Sequence, residues 1–187
     1  MPDSYSIRPI ARQDYDQWLP LWLGYNAFYG RAGATALPAE IVATTWARFF
    51  DAYEPVHALV ADVDGQLLGL THYLFHRSTI TTEPSCYLQD LFTSEPARGR
   101  GVGRALIEGV YAQAAAAGAG RVYWQTHETN HTAMKLYDQV ADKSGFLVYR
   151  KMFERLPSVE ARRDHADDGH RQQSGGDPLG AGDAAAR

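Results

Sequence analysis

Arg98-Gly99-Arg100-Gly101-Val102-Gly103-Arg104 is the stretch that decides the fold. It follows an apolar extended run, Tyr87-Leu88-Gln89-Asp90-Leu91-Phe92-Thr93, and leads straight into an alanine-rich helical stretch over 105–117. A strand, a glycine-rich turn and a helix N-terminus in that order make an anion cradle. Glycine permits the positive φ angles and the close backbone approach that such a turn needs. The first amides of the helix have no intrahelical partner and lie at the positive end of its dipole. Backbone N–H groups there bind a phosphate or pyrophosphate, and Arg98, Arg100 and Arg104 add charge.

Three kinds of glycine loop compete for this stretch. A P-loop needs Lys and then Ser or Thr at its end, whereas Gly103 is followed by Arg104-Ala105. A dinucleotide fingerprint needs glycine three residues after Gly101, and Arg104 stands there. The third pattern, Arg/Gln-x-x-Gly-x-Gly/Ala, is met by Arg98, Gly101 and Gly103. A tight turn that binds nothing is the bland alternative. Downstream, Arg121-Val122-Tyr123-Trp124-Gln125-Thr126 reads as a buried strand. Asn130-His131-Thr132-Ala133-Met134-Lys135-Leu136-Tyr137 follows it as a short helix.

In the loop and in Asn-x-x-Ala-x-x-Leu-Tyr, in that order, the chain resembles the GNAT N-acetyltransferases over about 87–151. The resemblance implies an α/β (α+β) fold: a mixed central sheet with a splayed pair of parallel strands, flanked by helices. It implies acetyl-CoA as cosubstrate, no metal, and direct attack by a primary amine in a ternary complex. Carried over residue by residue, it assigns the cofactor to Leu91, Phe92 and Thr93 of the strand, to Arg98, Gly99, Arg100, Gly101, Val102, Gly103 and Arg104 of the loop, and to Asn130. A backbone amide near Leu91 or Phe92 would hold the acetyl carbonyl, and Tyr137 would stand near the sulfur. A narrower resemblance is to the Hpa group of histone and polyamine acetyltransferases. It rests on Trp22-Leu23-Gly24-Tyr25 with Phe28-Tyr29, on Asp90-Leu91-Phe92, and on Val122-Tyr123-Trp124 followed by Glu128 and Asn130-His131. That group dimerises through its C-terminal strands, which implies a homodimer. The spermidine/spermine acetyltransferases are similar around Tyr87-Leu88 but carry Glu-Asp where this chain has Gln89-Asp90.

A primary amine, with a reference pKa of about 10.4, must lose a proton before it attacks a thioester, and the departing thiolate gains one. Tyr137 is the candidate donor, against the alternative of an amphipathic core tyrosine. Asp90, an acid inside an apolar strand, and Glu128, in the turn after the next strand, are candidate catalytic acids or bases. His72 is a third candidate, and hydrogen-bonded structural roles stand beside all three. Of the aromatic stripe Trp18, Trp22, Tyr25, Phe28 and Tyr29, part belongs to the core; Tyr29 and Trp46 are the candidate substrate walls. The acceptor class is a small amine or a basic peptide. A catalytically silent acyl-CoA-binding module and a regulatory partner of another acetyltransferase are the non-enzyme alternatives.

His127-Glu128-Thr129-Asn130-His131 is a literal His-Glu-x-x-His, which raises a zinc hydrolase as a distant alternative. Zinc binding through it requires all five residues in one helix, so that both imidazoles share a face. Here the preceding strand ends at Thr126, and Thr129 or Asn130 is the natural N-cap, so His127 and Glu128 fall in the turn.

Length suits one domain, expected over 1–156, and an apolar fraction of 45% is ample for its core. From 157 to 187 the chain is charged and glycine-rich, and a disordered tail is expected. A net charge of −4 argues against a nucleic-acid surface. A single cysteine, Cys86, excludes an internal disulfide. No signal peptide and no membrane span are expected, which gives a cytoplasmic protein by default. The expected order is a strand at 5–10, a helix over 11–29 with Pro20 marking a kink or a late start, and a loop at 30–38. A helix over 39–53 and a hairpin of 56–63 with 67–75 about Asp64-Gly65 follow. After the strand–loop–helix unit and the strand to Thr126 come the short helix and a last strand at 146–153.

Overall fold

The structure, a computed structural model, describes residues 5–153. They fall into two units, one reaching to Lys143 and one starting at Ser144. The tail expected over 157–187 and the boundary before it lie outside the described residues.

Alternation along the chain builds the first unit. In β2 (Val56–Val63), Leu59 and Ala61 point into one apolar cluster and Ala58 and Val60 into another, as the period of two demands. In β3 (Gln66–His76), Leu67 and Leu70 join one cluster and Leu68 and Tyr73 the other, because Leu68 is an extra residue opposite Ala61 and Asp62 that shifts the alternation. The sheet is therefore covered on both faces. α1 (Tyr15–Phe28) and α2 (Ala39–Arg48) cover one with Trp18, Leu21, Trp22 and Val42. α3 (Val102–Ala116) covers the other with Val102, Leu106, Ile107, Val110 and Ala114.

The strand order is β1-β2-β3-β4-β5, with β1 (Ser6–Pro9), β4 (Ser85–Thr93) and β5 (Arg121–Tyr123) completing the sheet. Neighbours are antiparallel except β4 and β5, which are parallel and joined through α3. A parallel pair needs such a crossover. The mixed sheet flanked by helices matches the expected α/β architecture. The β2–β3 hairpin turns at Asp64 and Gly65, both with positive φ (49° and 86°), as a type I′ turn requires.

Several boundaries differ from the expected ones. α1 starts at Tyr15, ahead of Pro20, after a 3-10 turn at Arg12–Asp14. α2 stops at Arg48 rather than 53, and β5 stops at Tyr123 rather than Thr126. α4 (His131–Val140) follows as expected. The strand expected at 146–153 is not formed; these residues carry neither helix nor strand. Their run of apolar and aromatic residues, Phe146-Leu147-Val148-Tyr149, suits a strand, but a strand also needs a ladder partner, which composition does not supply.

One ion-pair cluster pins the start of α1. Arg8 donates from Nη1 and Nη2 to the two carboxylate oxygens of buried Asp14 (2.7 and 2.9 Å) and from Nε to Asp62 (2.8 Å). Asp14 also accepts from the Ala11 N–H at 2.7 Å. The Arg8 guanidinium holds the Asp14 carboxyl below its ordinary value of 3.8. A depressed folded-state value means stability present above the unfolded value and lost as pH falls through the folded one. Asp14→Ala is therefore expected to lose about 3 kcal/mol at neutral pH. Urea denaturation of both proteins should show that difference shrinking once pH drops below 3.8. An unchanged difference in acid would show that charge pairing is not its source.

Candidate active site

The site starts from an irregularity. β3 and β4 pair His72 with Asp90 and Tyr73 with Leu88, so Gln89 is an extra residue in β4. Cys86 and Leu88 face the α3 cluster. By strict alternation Asp90 would join them; the bulge at Gln89 turns it to the α1 face instead. There the Asp90 side chain is buried and meets His72 Nδ1 at 2.9 Å. The other His72 nitrogen, Nε2, accepts from Trp18 Nε1 at 3.1 Å. An indole only donates, so Nε2 is bare, Nδ1 carries the proton, and His72 donates to Asp90. From α1, Tyr25 brings its hydroxyl close enough to Asp90 for the carboxylate to raise its phenol. Tyr25 reaches that position because Gly24 packs on β4; a Cβ on Gly24 would lie 2.8 Å from Phe92 Cζ.

Two tyrosines stand near Asp90, Tyr25 of α1 and Tyr87 of β4. Burial, and then Asp90, raise the Tyr25 phenol well above its ordinary value. Tyr87 is raised by burial, by Tyr123, by Asp90 and by Tyr29. Tyr137, on α4, packs edge-on to Trp124 (5.3 Å between centroids), and burial with a contribution from Tyr29 pushes it up to about 12. Tyr29 is thus close enough to Tyr25, Tyr87 and Tyr137 for each phenolate to feel its charge. It is itself exposed at the C-terminus of α1. The region between α1, β4 and α4 is the candidate acceptor cleft.

Beside that cleft the sheet opens. Pairing of β4 with β5 runs only from Ser85–Arg121 to Tyr87–Tyr123. Beyond it, among the described residues, no strand pairs with Leu88 to Thr93 on that edge, so the backbone there is unpaired on one side. The open edge leads to the glycine turn. Gly101 caps α3 in the left-handed conformation (φ 84°), and Gly99 has φ 75°. The positive φ is what calls for glycine at 101; a Cβ there would also come 3.1 Å from the Tyr5 hydroxyl, which would have to shift. The first helical bond in α3 runs from Ala105 N to Gly101 O, leaving the amides before it for an anion. Arg104 bonds Gln139 of α4 at 2.5 Å, tying the cradle to the helix that carries Tyr137.

The remaining candidates are spread more widely. Trp46 packs on Tyr15, Trp18 and Phe50 in the α1–α2 core (centroids 4.9 to 5.1 Å), on the side of Trp18 away from Tyr25. Glu128 is exposed in the turn before α4. Asn130 is the N-cap of α4, its Oδ1 accepting from Ala133 N at 3.4 Å. His127 lies in that turn, with Nδ1 on Thr129 Oγ1 (2.8 Å), while His131 is the first helical residue. The two imidazoles do not share a helical face, and among the described residues no three His, Cys, Asp or Glu side chains gather as ligands. Tyr25, Tyr87, Trp18 and Arg31 were not among the sequence candidates. Tyr25 had a signal in its helical spacing from Trp18 and Trp22, but nothing that separated it from core.

The model of the acetyltransferase (GNAT) family matches residues 18–141. The D-amino-acid N-acetyltransferase HPA3 of Saccharomyces cerevisiae is 38% identical over 151 residues, covering 80% of this chain and 91% of that protein. The L-ornithine N5-acetyltransferase NATA1 of Arabidopsis thaliana is 39% identical over 54 residues, 29% of this chain and 24% of that one. Among solved structures, an aminoglycoside acetyltransferase from an uncultured soil metagenomic sample superposes with a TM-score of 0.65 at 16% identity. It covers 80% of this chain and 97% of that one. With the matched segment spanning the bulged strand, the glycine turn and α4, the chain belongs to the acetyltransferase (GNAT) family and is an acetyltransferase.

Proposed function

We propose that the protein transfers an acetyl group from acetyl-CoA to a small primary amine by direct attack, with Tyr137 and Asp90 moving the protons. The observation that carries this is the buried Asp90, held by His72 and with Tyr25 beside it, next to the open edge of β4. Family members use acetyl-CoA, and the residues here suit it. The glycine turn at 99–103 and the free amides of α3 offer a pyrophosphate site, and the unpaired β4 edge offers amides to an extended arm. When bound, acetyl-CoA supplies an activated thioester carbonyl.

The residues then divide the work. Asp90, fixed by His72, holds the Tyr25 hydroxyl with its proton toward the carboxylate, which leaves an oxygen lone pair to accept an N–H from an incoming ammonium. Charge on Asp90 favours the ammonium's arrival, and its proton passes through Tyr25 to Asp90. An amide near Leu91 or Phe92 polarises the carbonyl. Tyr137, protonated at neutral pH because its value is pushed up to about 12, delivers a proton to sulfur as the C–S bond breaks. The second proton lost from nitrogen restores the tyrosine.

Direct attack is favoured over an acetyl-enzyme because the lone thiol is unsuited to be a nucleophile. Cys86 is fully buried, and burial pushes it up to about 11. Initial-rate plots against both substrates are expected to intersect; parallel lines would mean a covalent intermediate. The decisive test is release of CoA thiol from acetyl-CoA across a panel of amines, and no release with any amine would overturn the proposal. A homodimer is part of the same reading, by resemblance to the Hpa group; light scattering at micromolar protein is expected to give twice the chain mass, 20.7 kDa.

A further inference from the structure

Arg31 stands at the mouth of the cleft with its fork unused. The turn that follows α1 bonds Arg31 N to Asn26 O at 2.9 Å, folding the chain back over the end of the helix. Asn26 is 1% exposed, donates to Trp22 O at 2.8 Å and accepts from Arg31 Nε at 2.6 Å. A buried amide therefore fixes one edge of the guanidinium. The guanidinium lies over Tyr29 and Tyr25, with Cζ 5.5 and 5.9 Å from the ring centroids. Such stacking orients an arginine without consuming its terminal nitrogens.

Among the described residues those nitrogens hold no carboxylate. Arg8 pairs with Asp14 and Asp62, and Arg48 with Glu54, but among the described residues no acid lies within ion-pair distance of Arg31. The geometry is that of a clamp awaiting an anion. Tyr25 spans the interval: Arg31 Cζ lies 5.9 Å from its ring centroid, and its hydroxyl lies near enough to Asp90 to feel the carboxylate. An oriented cation and a buried anion thus flank one tyrosine in the acceptor cleft. A zwitterion of the form ammonium–carbon–carboxylate has the complementary charges. A polyamine does not, because its second ammonium would face the guanidinium.

We propose that Arg31 binds the acceptor's carboxylate and that the acceptor is a primary amine bearing one, an amino acid. This rests on the acetyltransferase reading above and names the substrate class for the same site. Arg31 is a specificity residue here and takes no part in proton transfer.

The test compares three acceptors at equal free-amine concentration: the best amino acid from a panel of both configurations, its amide, and its decarboxylated amine. For the unaltered protein, kcat/KM is expected to be about 100-fold higher for the acid than for either other amine. Arg31→Gln should lower kcat/KM about 100-fold for the acid, mostly through KM, and less than about threefold for the decarboxylated amine. Arg31→Lys should recover part of the loss, because it keeps the charge but not the fork. Equal use of acid and amide, or an equal loss for all three acceptors in Arg31→Gln, overturns the carboxylate clamp and leaves the acetyltransferase reading intact. Absence of turnover with any amine overturns both.

Discussion

Tyr137→Phe is expected to bind acetyl-CoA as well as the parent and to turn over 10²–10⁴ times more slowly, the range for losing a positioned acid. That is a barrier increase of about 3–5.5 kcal/mol. The substitution removes one oxygen and keeps the ring, so the edge-on contact with Trp124 at 5.3 Å survives. The cradle at 99–104 lies on another element and is untouched. Binding by calorimetry and rate by thiol release therefore separate cleanly. pH adds a second arm. Tyr137 titrates at about 12, so the parent should show no loss of acid function across pH 6–9. In the variant an acetyl donor with a better leaving group than CoA should recover most of the rate, since protonation of sulfur then matters less. Full activity of a folded Tyr137→Phe protein would return Tyr137 to the core, where it packs against the α3 cluster.

Much of this machinery was legible in the sequence, for local reasons. The turn at 98–104 needs glycine at specific backbone angles, and Asn130 announces a helix start because an Asn side chain satisfies an orphan amide. The Asp64-Gly65 hairpin is written in two residues. Asp90 stood out because a carboxylate in an apolar strand needs partners. What the partners were was not legible. They depend on the bulge at Gln89, a change of one in pairing register that leaves no mark in composition but decides which face Asp90 joins. Arg31 was invisible for a related reason. Its meaning comes from Asn26, Tyr25 and Tyr29 meeting it in space and from the absence of an acid beside it among the described residues. The ends of α2 and β5 were overextended because Phe49, Phe50, Trp124 and Thr126 continue the apolar pattern after the hydrogen-bond ladder has stopped.

Asp90→Asn is expected to produce the other large effect, and of a different kind. The amide keeps the size of the carboxylate and offers an oxygen to His72 Nδ1–H, so the His72–Trp18 chain is preserved. Its NH₂ then faces the Tyr25 hydroxyl, which must accept rather than donate. The tyrosine lone pair that met the acceptor ammonium is consumed, and the negative charge that drew the ammonium in is gone. Acetyl-CoA affinity should hold, while kcat/KM for the amine falls by about 10²–10⁴. The pH–rate profile should also move. With no internal acceptor for the first proton, the amine must arrive already deprotonated, so the rate should keep climbing toward the amine's own pKa, about 10.4 for a lysine-type group. Asp90→Ala separates this from a structural role. It strands His72 Nδ1–H and the Tyr25 hydroxyl in a buried site, at a cost of about 1–3 kcal/mol for each orphaned group. If Asp90 served the fold alone, the Asn variant would melt lower yet keep the parent's pH–rate profile in its folded fraction. The profile therefore decides between a carboxylate that holds α1 to the sheet and one that accepts the proton on which amine attack depends.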